Sequence, residues 1–293
     1  MMKDDQSKEN GGRGSALKAL VSFFTICHMD IDQDDMNAME RSFHLVPVVG
    51  LLFAFILMIE GAALGWLFID KEFGSGLFTA VVMLATVYAG SKFIHFDGLT
   101  DFGDGMIVSG TREDHVRALK DTLVGAGGVG TALVVVLLSV SVYTMSEKAV
   151  SLAGPLFLII FAPAVELLVK NAMVFAAAFG KPGNGMAARQ VSMTSQSSAL
   201  YSTLITLVLG AIVCVISCLL YDAIMPYRGM DIDMIPVIAA FVIAVVVSAL
   251  VGFLIARKSN EVFGMVNGDI LGATNEICRP VVMFVMLLVF VLW

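Results

Sequence analysis

The chain has 293 residues, 58% of them hydrophobic and only 15% charged, with a mean hydropathy of +0.88. Soluble domains carry about a quarter charged residues, so this composition excludes an ordinary soluble globule and indicates a polytopic membrane protein. The formal net charge of −7, on a chain whose basic residues are scattered, argues against nucleic acid as a partner. The four cysteines, Cys27, Cys214, Cys218 and Cys278, have no CxxC pair and no histidine at zinc spacing, which argues against a disulfide framework or a zinc site.

In chain order, residues 1–15 are polar, carry both signs of charge and lack the basic-then-apolar pattern of a signal peptide, so a disordered tail is expected. Residues 16–293 form a single integral-membrane domain. Its first stretch, 16–29, is apolar but short for a span, which predicts an interfacial or re-entrant helix, with a short buried strut as the alternative. Windows near 20 residues then give spans at 44–69, 76–94, 125–143, 150–179, 199–221, 234–256 and 277–293. The expected fold is all-α, with about seven transmembrane helices plus the short N-terminal helix. The fourth span is long enough to be tilted or broken at Pro155 and Pro163. Gly61 and Gly65, and the cluster Gly125, Gly127, Gly128 and Gly130, read as close helix packing; the cluster lacks the GK[ST] of a phosphate loop.

Basic residues divide unequally between alternate connections. One set holds Lys3, Lys8, Arg13, Lys18, Arg41, Lys92, Arg112, Arg117, Lys120, Lys181, Arg189, Arg257, Lys258 and Arg279; the other holds Lys71, Lys148 and Arg228. The positive-inside rule therefore places the N-terminus and the loops after residues 94, 179 and 256 on the cytoplasmic side.

Those cytoplasmic connections carry most of the chemistry. In HFDGLTDFGDG, residues 95–105, Asp97, Asp101 and Asp104 fall within an arc of roughly 60° if the segment is helical. Three carboxylates on one face repel one another unless a cation joins them, and oxygen-only donors suit a hard ion such as Mg²⁺. A second acidic segment, NGDILGATNE at 267–276, puts Asp269 and Glu276 on one helix face about two turns apart. Asp121 is either a helix cap or a further site carboxylate. Within the fourth span Glu166 and Lys170, beside Asn171, are one turn apart, and can neutralise each other or serve function. Glu60, nearer the far end of its span, is the weaker candidate. His95 suits a hydrogen bond to a phosphate better than metal ligation, whereas His28, His44 and His115 read as structural. No nucleophile–histidine pattern occurs, which leaves metal-assisted displacement at phosphorus as the matching reaction class.

Three ordered motifs carry a family resemblance. HFDGLTDFGDG is similar to H-x-D-G-L-x-D-x-x-D, KDTLVGAGG to K-D-S-R-I-G-x-x-G, and GDILGATNE to G-D-x-x-G-A-x-x-E, all of the cobalamin synthase (adenosylcobinamide-GDP ribazoletransferase) family. The resemblance covers most of the chain from about Ala16, and TNEICR looks like its archaeal branch. It implies a membrane enzyme, catalytic throughout 16–293, that uses Mg²⁺ to move adenosylcobinamide phosphate from its GDP-activated form onto α-ribazole or α-ribazole 5′-phosphate, with the ribazole 5′ oxygen attacking and GMP leaving. It further implies His95, Asp97, Asp101 and Asp104 as catalytic, with the three aspartates on metal. Asp121, Glu166, Lys170, Lys181, Arg189, Asp269, Asn275 and Glu276 are implied near substrate. Beyond substrates and the lipid bilayer, a homo-oligomer or other corrinoid-pathway enzymes are open as partners. The chain departs from the family pattern at Leu123, where arginine is usual, and at Arg279, where glutamate is usual. The alternatives are a CDP-alcohol phosphotransferase, whose signature needs Ala and Arg where Thr100 and Asp101 stand, and a cation-coupled transporter working through Glu60 and Glu166.

Overall fold

The structure, a computed structural model, describes residues 3–71, 73–149, 158–224 and 232–293. Apolar runs this long must satisfy their backbone internally, and they do so as helices. In chain order these are α1 (Lys3–Phe24), α2 (Gln33–Arg41), α3 (Val46–Lys71), α4 (Gly76–Gly90), α5 (Ile94–Ile107), α6 (Arg112–Leu119), α7 (Ala126–Ala149), α8 (Leu158–Phe179), α9 (Ala187–Met193), α10 (Gln196–Ile224), α11 (Met234–Val262) and α12 (Gly268–Leu292). Among the described residues the one extended pairing is a single parallel bridge between Pro182 and Val266. Six helices are long and apolar enough to cross a membrane, seven if the bent pair α4–α5 counts as one span. The protein is therefore a multi-pass membrane protein.

The axis of the bundle is α8, whose apolar window is 94% buried and which packs against α3, α10, α11 and α12. Small residues make this approach possible: a Cβ on Gly50 of α3 would stand 2.6 Å from the Glu166 carbonyl oxygen, and one on Gly252 of α11 would meet the Ala172 carbonyl. The expected packing role of Gly61 also holds, since its face lies against Ile159 and Met83. Helix α8 runs unbroken through Pro163, while 150–157, with Pro155, lie outside the described residues.

The second expected span, 76–94, ends early. Helix α4 has 15 residues, roughly 22 Å at 1.5 Å per residue, and the chain then bends by 93° into α5. Lys92 and Phe93 make the bend, each in the left-handed region at φ 56°, a conformation costly for a side chain larger than glycine. Lys92 Nζ donates to the Ser22 carbonyl at 3.0 Å and the Ile26 amide to that of Gly90 at 2.8 Å, so α1 holds the bend. The last helix starts at Gly268 rather than at 277, because Asn267 caps it, accepting from the Ile270 amide at 3.1 Å.

At the N-terminus, α1 takes in the polar segment expected as a disordered tail; once its apolar end is docked, each further helical residue adds a backbone bond. Helix α2 was not foreseen. Asp32 and Asp35 form its capping box. Asp35 also binds Lys18 at 2.8 Å and the Ser15 hydroxyl, which with its backbone bond hold its carboxyl down from 3.8 to about 2.

Two outcomes test this packing. Gly50→Ala should lower the melting temperature in detergent, at an overpacking cost of about 1–3 kcal/mol, whereas Gly130→Ala, which meets nothing within 4 Å, should not. Because the Asp35 carboxyl is depressed in the folded state, its contribution is complete above its unfolded value and is lost as pH falls from about 4 to about 2. Asp35→Asn should remove that step from the pH dependence of the melting temperature.

Candidate active site

Two glycines set the site. A Cβ on Gly98 of α5 would lie 2.6 Å from the Asp269 carbonyl oxygen, and one on Gly272 of α12 would lie 3.1 Å from the His95 Cα and carbonyl oxygen. The two helices therefore cross backbone to backbone, which brings Asp97 and Asp101 of one beside Asp269 of the other. Asp104, one turn further on, turns away: its two oxygens accept from the amides of Gly125 at 2.6 Å and Gly128 at 2.8 Å. It thus occupies the positive end of α7. The glycine cluster that looked like plain helix packing makes room for Asp104: Cβ atoms at Gly125 or Gly128 would collide with its carboxylate, and one at Gly127 with Ile107.

Neither the Asp97 nor the Asp101 carboxylate accepts a hydrogen bond from a described residue, while Asp101 lies within electrostatic reach of Asp269, Asp97 and Asp104. Asp269 is held by Asn267 Nδ2 at 2.7 Å and feels the charge of Lys120. Asp97, Asp269, Lys120, His95, Asn267 and Gln190 line a cavity of about 440 Å³, together with Phe23 and Phe24 of α1 and Met36 and Met39 of α2.

The expected metal set, Asp97, Asp101 and Asp104, is not gathered at one point: among the described residues no three His, Cys, Asp or Glu side chains are grouped so as to hold an ion. The physical reason is that Asp104 is spent on α7. What remains, hard oxygen donors with unsatisfied charge, fits Mg²⁺ in its usual mode, one or two carboxylates with water and substrate phosphate completing the shell.

Behind the cavity wall runs a buried ionic chain. His95 is 2% exposed, stacks on Phe24 at 5.6 Å, and its Nε2 lies 2.7 Å from Lys170 Nζ. An ammonium can only donate, so Nε2 accepts and the ring proton sits on Nδ1. Lys170 also donates to Asn275 at 2.7 Å, Asn275 to Glu276 at 2.8 Å, and Arg279 to Glu276 at 3.4 Å and to Glu166. The self-neutralising Glu166–Lys170 pair that the spacing allows is thus replaced: Glu166 takes Arg279, and Lys170 turns to His95. Glu166, Lys170, Asn275 and Glu276 are at most 1% exposed, and none of the four lines the cavity.

The remaining expected contacts lie at the periphery. Asp121 is exposed and accepts from the Leu123 amide at 3.0 Å, a local turn. Arg189 pairs with Glu40 at 3.3 Å and bonds Asn37, pinning α9 to α2. Lys181 is exposed, with its backbone tied to Asn260 and Val266. Sequence inspection did not assign to the site Lys120, although it opens the KDTLVGAGG motif, Gln190 of α9, or the α1–α2 residues, for which the Asp32–Asp35 capping box was the available signal.

Fold and site together define a multi-pass membrane protein with a carboxylate-rich cavity built on crossed helix N-termini. The family model for cobalamin-5-phosphate synthase matches residues 16–287, and the chain belongs to that family. It is 30% identical over 275 residues to the adenosylcobinamide-GDP ribazoletransferase of Methanocella arvoryzae, covering 93% of this chain and 95% of that one. It is 28% identical to the enzyme of the same name from Methanosarcina barkeri, covering 92% and 91%, and 33% identical to that of Pyrococcus furiosus, covering 70% and 76%. No solved structure matches the chain.

Arg279→Met should be severely destabilising, by about 3–5 kcal/mol, because it strands Glu166 and Glu276 as buried, unpaired charges. Loss of a monodisperse peak in detergent is the readout. Adding Glu166→Gln and Glu276→Gln should recover part of the loss.

Proposed function

We propose that the protein is an adenosylcobinamide-GDP ribazoletransferase, joining adenosylcobinamide phosphate to α-ribazole or its 5′-phosphate with release of GMP. The observation that carries this is the family match over residues 16–287, whose three motifs converge on one cavity through the α5–α12 crossing. An acceptor ribose hydroxyl forms the new P–O bond at the phosphorus bearing cobinamide, the diphosphate P–O bond breaks, and GMP departs with the electron pair. The family description names a 5-phosphate product. Attack by the 5′ oxygen would consume that position, so the nucleophile is corrected to another ribose hydroxyl.

Within the chain, the binding of diphosphate oxygens is assigned to Lys120 and Asn267, a reading supported by their presence in the cavity lining. Asp97 or Asp101, its carboxylate free of hydrogen bonds, takes the hydroxyl proton. His95 is no base at Nε2, which Lys170 already occupies; it donates from Nδ1 or shapes the wall. Asp269, with whichever of Asp97 and Asp101 is not the base, would hold Mg²⁺, which when bound supplies charge neutralisation on the phosphate oxygens. The excess of Lys and Arg on the connections around the cavity supports a cytoplasmic site and N-terminus.

Purified protein given GDP-activated cobinamide, α-ribazole and Mg²⁺ should release GMP and form cobalamin, and chelation should abolish turnover until Mg²⁺ is restored. Asp97→Asn and Asp101→Asn should each lower kcat by about 10²–10⁴-fold with the melting temperature kept. Full turnover by Asp97→Asn would overturn the site.

A further inference from the structure

The reaction joins two substrates, and two cavities of this structure meet at Asp97. The first is the polar one holding Lys120 and Asn267. The second, of about 620 Å³, is an apolar groove between α4, α5 and α7, walled by Tyr88, Phe93, Phe96 and Val129, with Asp97 and Thr100 also in its lining. Its three aromatic rings stand 5.6 to 6.1 Å apart, Phe93 and Phe96 edge to face at 89°. Phe93 is 51% exposed, and it is held there by the left-handed bend, a strained conformation maintained to present a ring.

We infer that this groove is the acceptor subsite: it binds a flat aromatic heterocycle, the base of the ribazole, and delivers the attached ribose to Asp97. The inference rests on the transferase reading above and assigns one substrate of it. A volume of about 620 Å³ suits a bicyclic base and its sugar, and drug-sized ligands occupy pockets of roughly 300–1,000 Å³. Aromatic walls favour an aromatic ring, by stacked or edge-on contact. Charge points the same way: the lining offers no cation and carries Asp97, whose charge adds to those of Asp101 and Asp269 close by, which disfavours both an anionic lipid headgroup and the GDP-bearing substrate. Asp97 is common to both cavities, where the hydroxyl of one substrate must meet the phosphorus of the other.

The test uses full-length protein in detergent and in nanodiscs. Val129→Trp, which fills the groove from a 57% exposed position, and Phe93→Ala should each raise the KM for α-ribazole about tenfold or more, as expected for a lost base–aromatic stack. The KM for GDP-activated cobinamide and the melting temperature should stay unchanged, and Phe93→Tyr should restore the acceptor KM. An equal rise for both substrates, or none for either, overturns the assignment. So does activity that follows nanodisc acyl-chain composition while the acceptor KM is unmoved by the variants, since the groove then holds lipid. Equilibrium dialysis of labelled α-ribazole separates the two levels: binding by wild type that Val129→Trp abolishes, without any cobalamin formed, sustains the groove and sinks the transferase reading.

Discussion

The crossing of α5 and α12 is the constraint on which everything else depends. Two backbones in contact at Gly98 and Gly272 leave no room for a side chain, and this places Asp269 beside Asp97 and Asp101. It also sets His95 against Lys170 behind the wall. A gap one methyl wider would separate the acidic faces, uncouple the buried chain from the cavity, and lift the caps that define where α7 and α12 begin. Precision here comes from backbone against backbone, the least deformable contact a helical protein makes.

The ionic chain makes this crossing tolerable inside an apolar bundle. Lys170 and Arg279 balance Glu166 and Glu276, and Asn275 links the halves. Each charge is costly to desolvate and is retained because its neighbours complete it. Arg279 has a physical meaning in this setting: Glu166 and Glu276 both accept from it, so a carboxylate in its place would set three acidic groups against Lys170.

Much of this was legible in the sequence. Runs of about 20 apolar residues fixed most spans to within a few positions, and the three motifs marked the right segments. The bend at Lys92 and Phe93 was not legible, because neither residue type advertises a left-handed conformation and α1 imposes it from outside. Helical spacing put Asp97, Asp101 and Asp104 on one face, but a shared face does not determine what each side chain meets, and the amides of α7 claimed Asp104. Likewise Glu166 and Lys170 obeyed i,i+4 spacing yet formed no hydrogen bond with each other, since partners on α5 and α12 offered better geometry. Local pattern predicts proximity along one helix; competition between helices decides the bond.

The position of Asp104 has a consequence for how anions enter. Many phosphate sites rely on the exposed amides of a helix start, yet here a carboxylate of the protein has taken that place on α7. The neighbouring wall is acidic as well, so a bare diphosphate approaching it meets a repulsive field relieved mainly by Lys120. An anion that arrives already carrying its counter-ion meets far less resistance. On the proposed transferase reading the cavity thus discriminates by net charge, and a diphosphate whose charge is already partly neutralised enters against a weaker field than a free one.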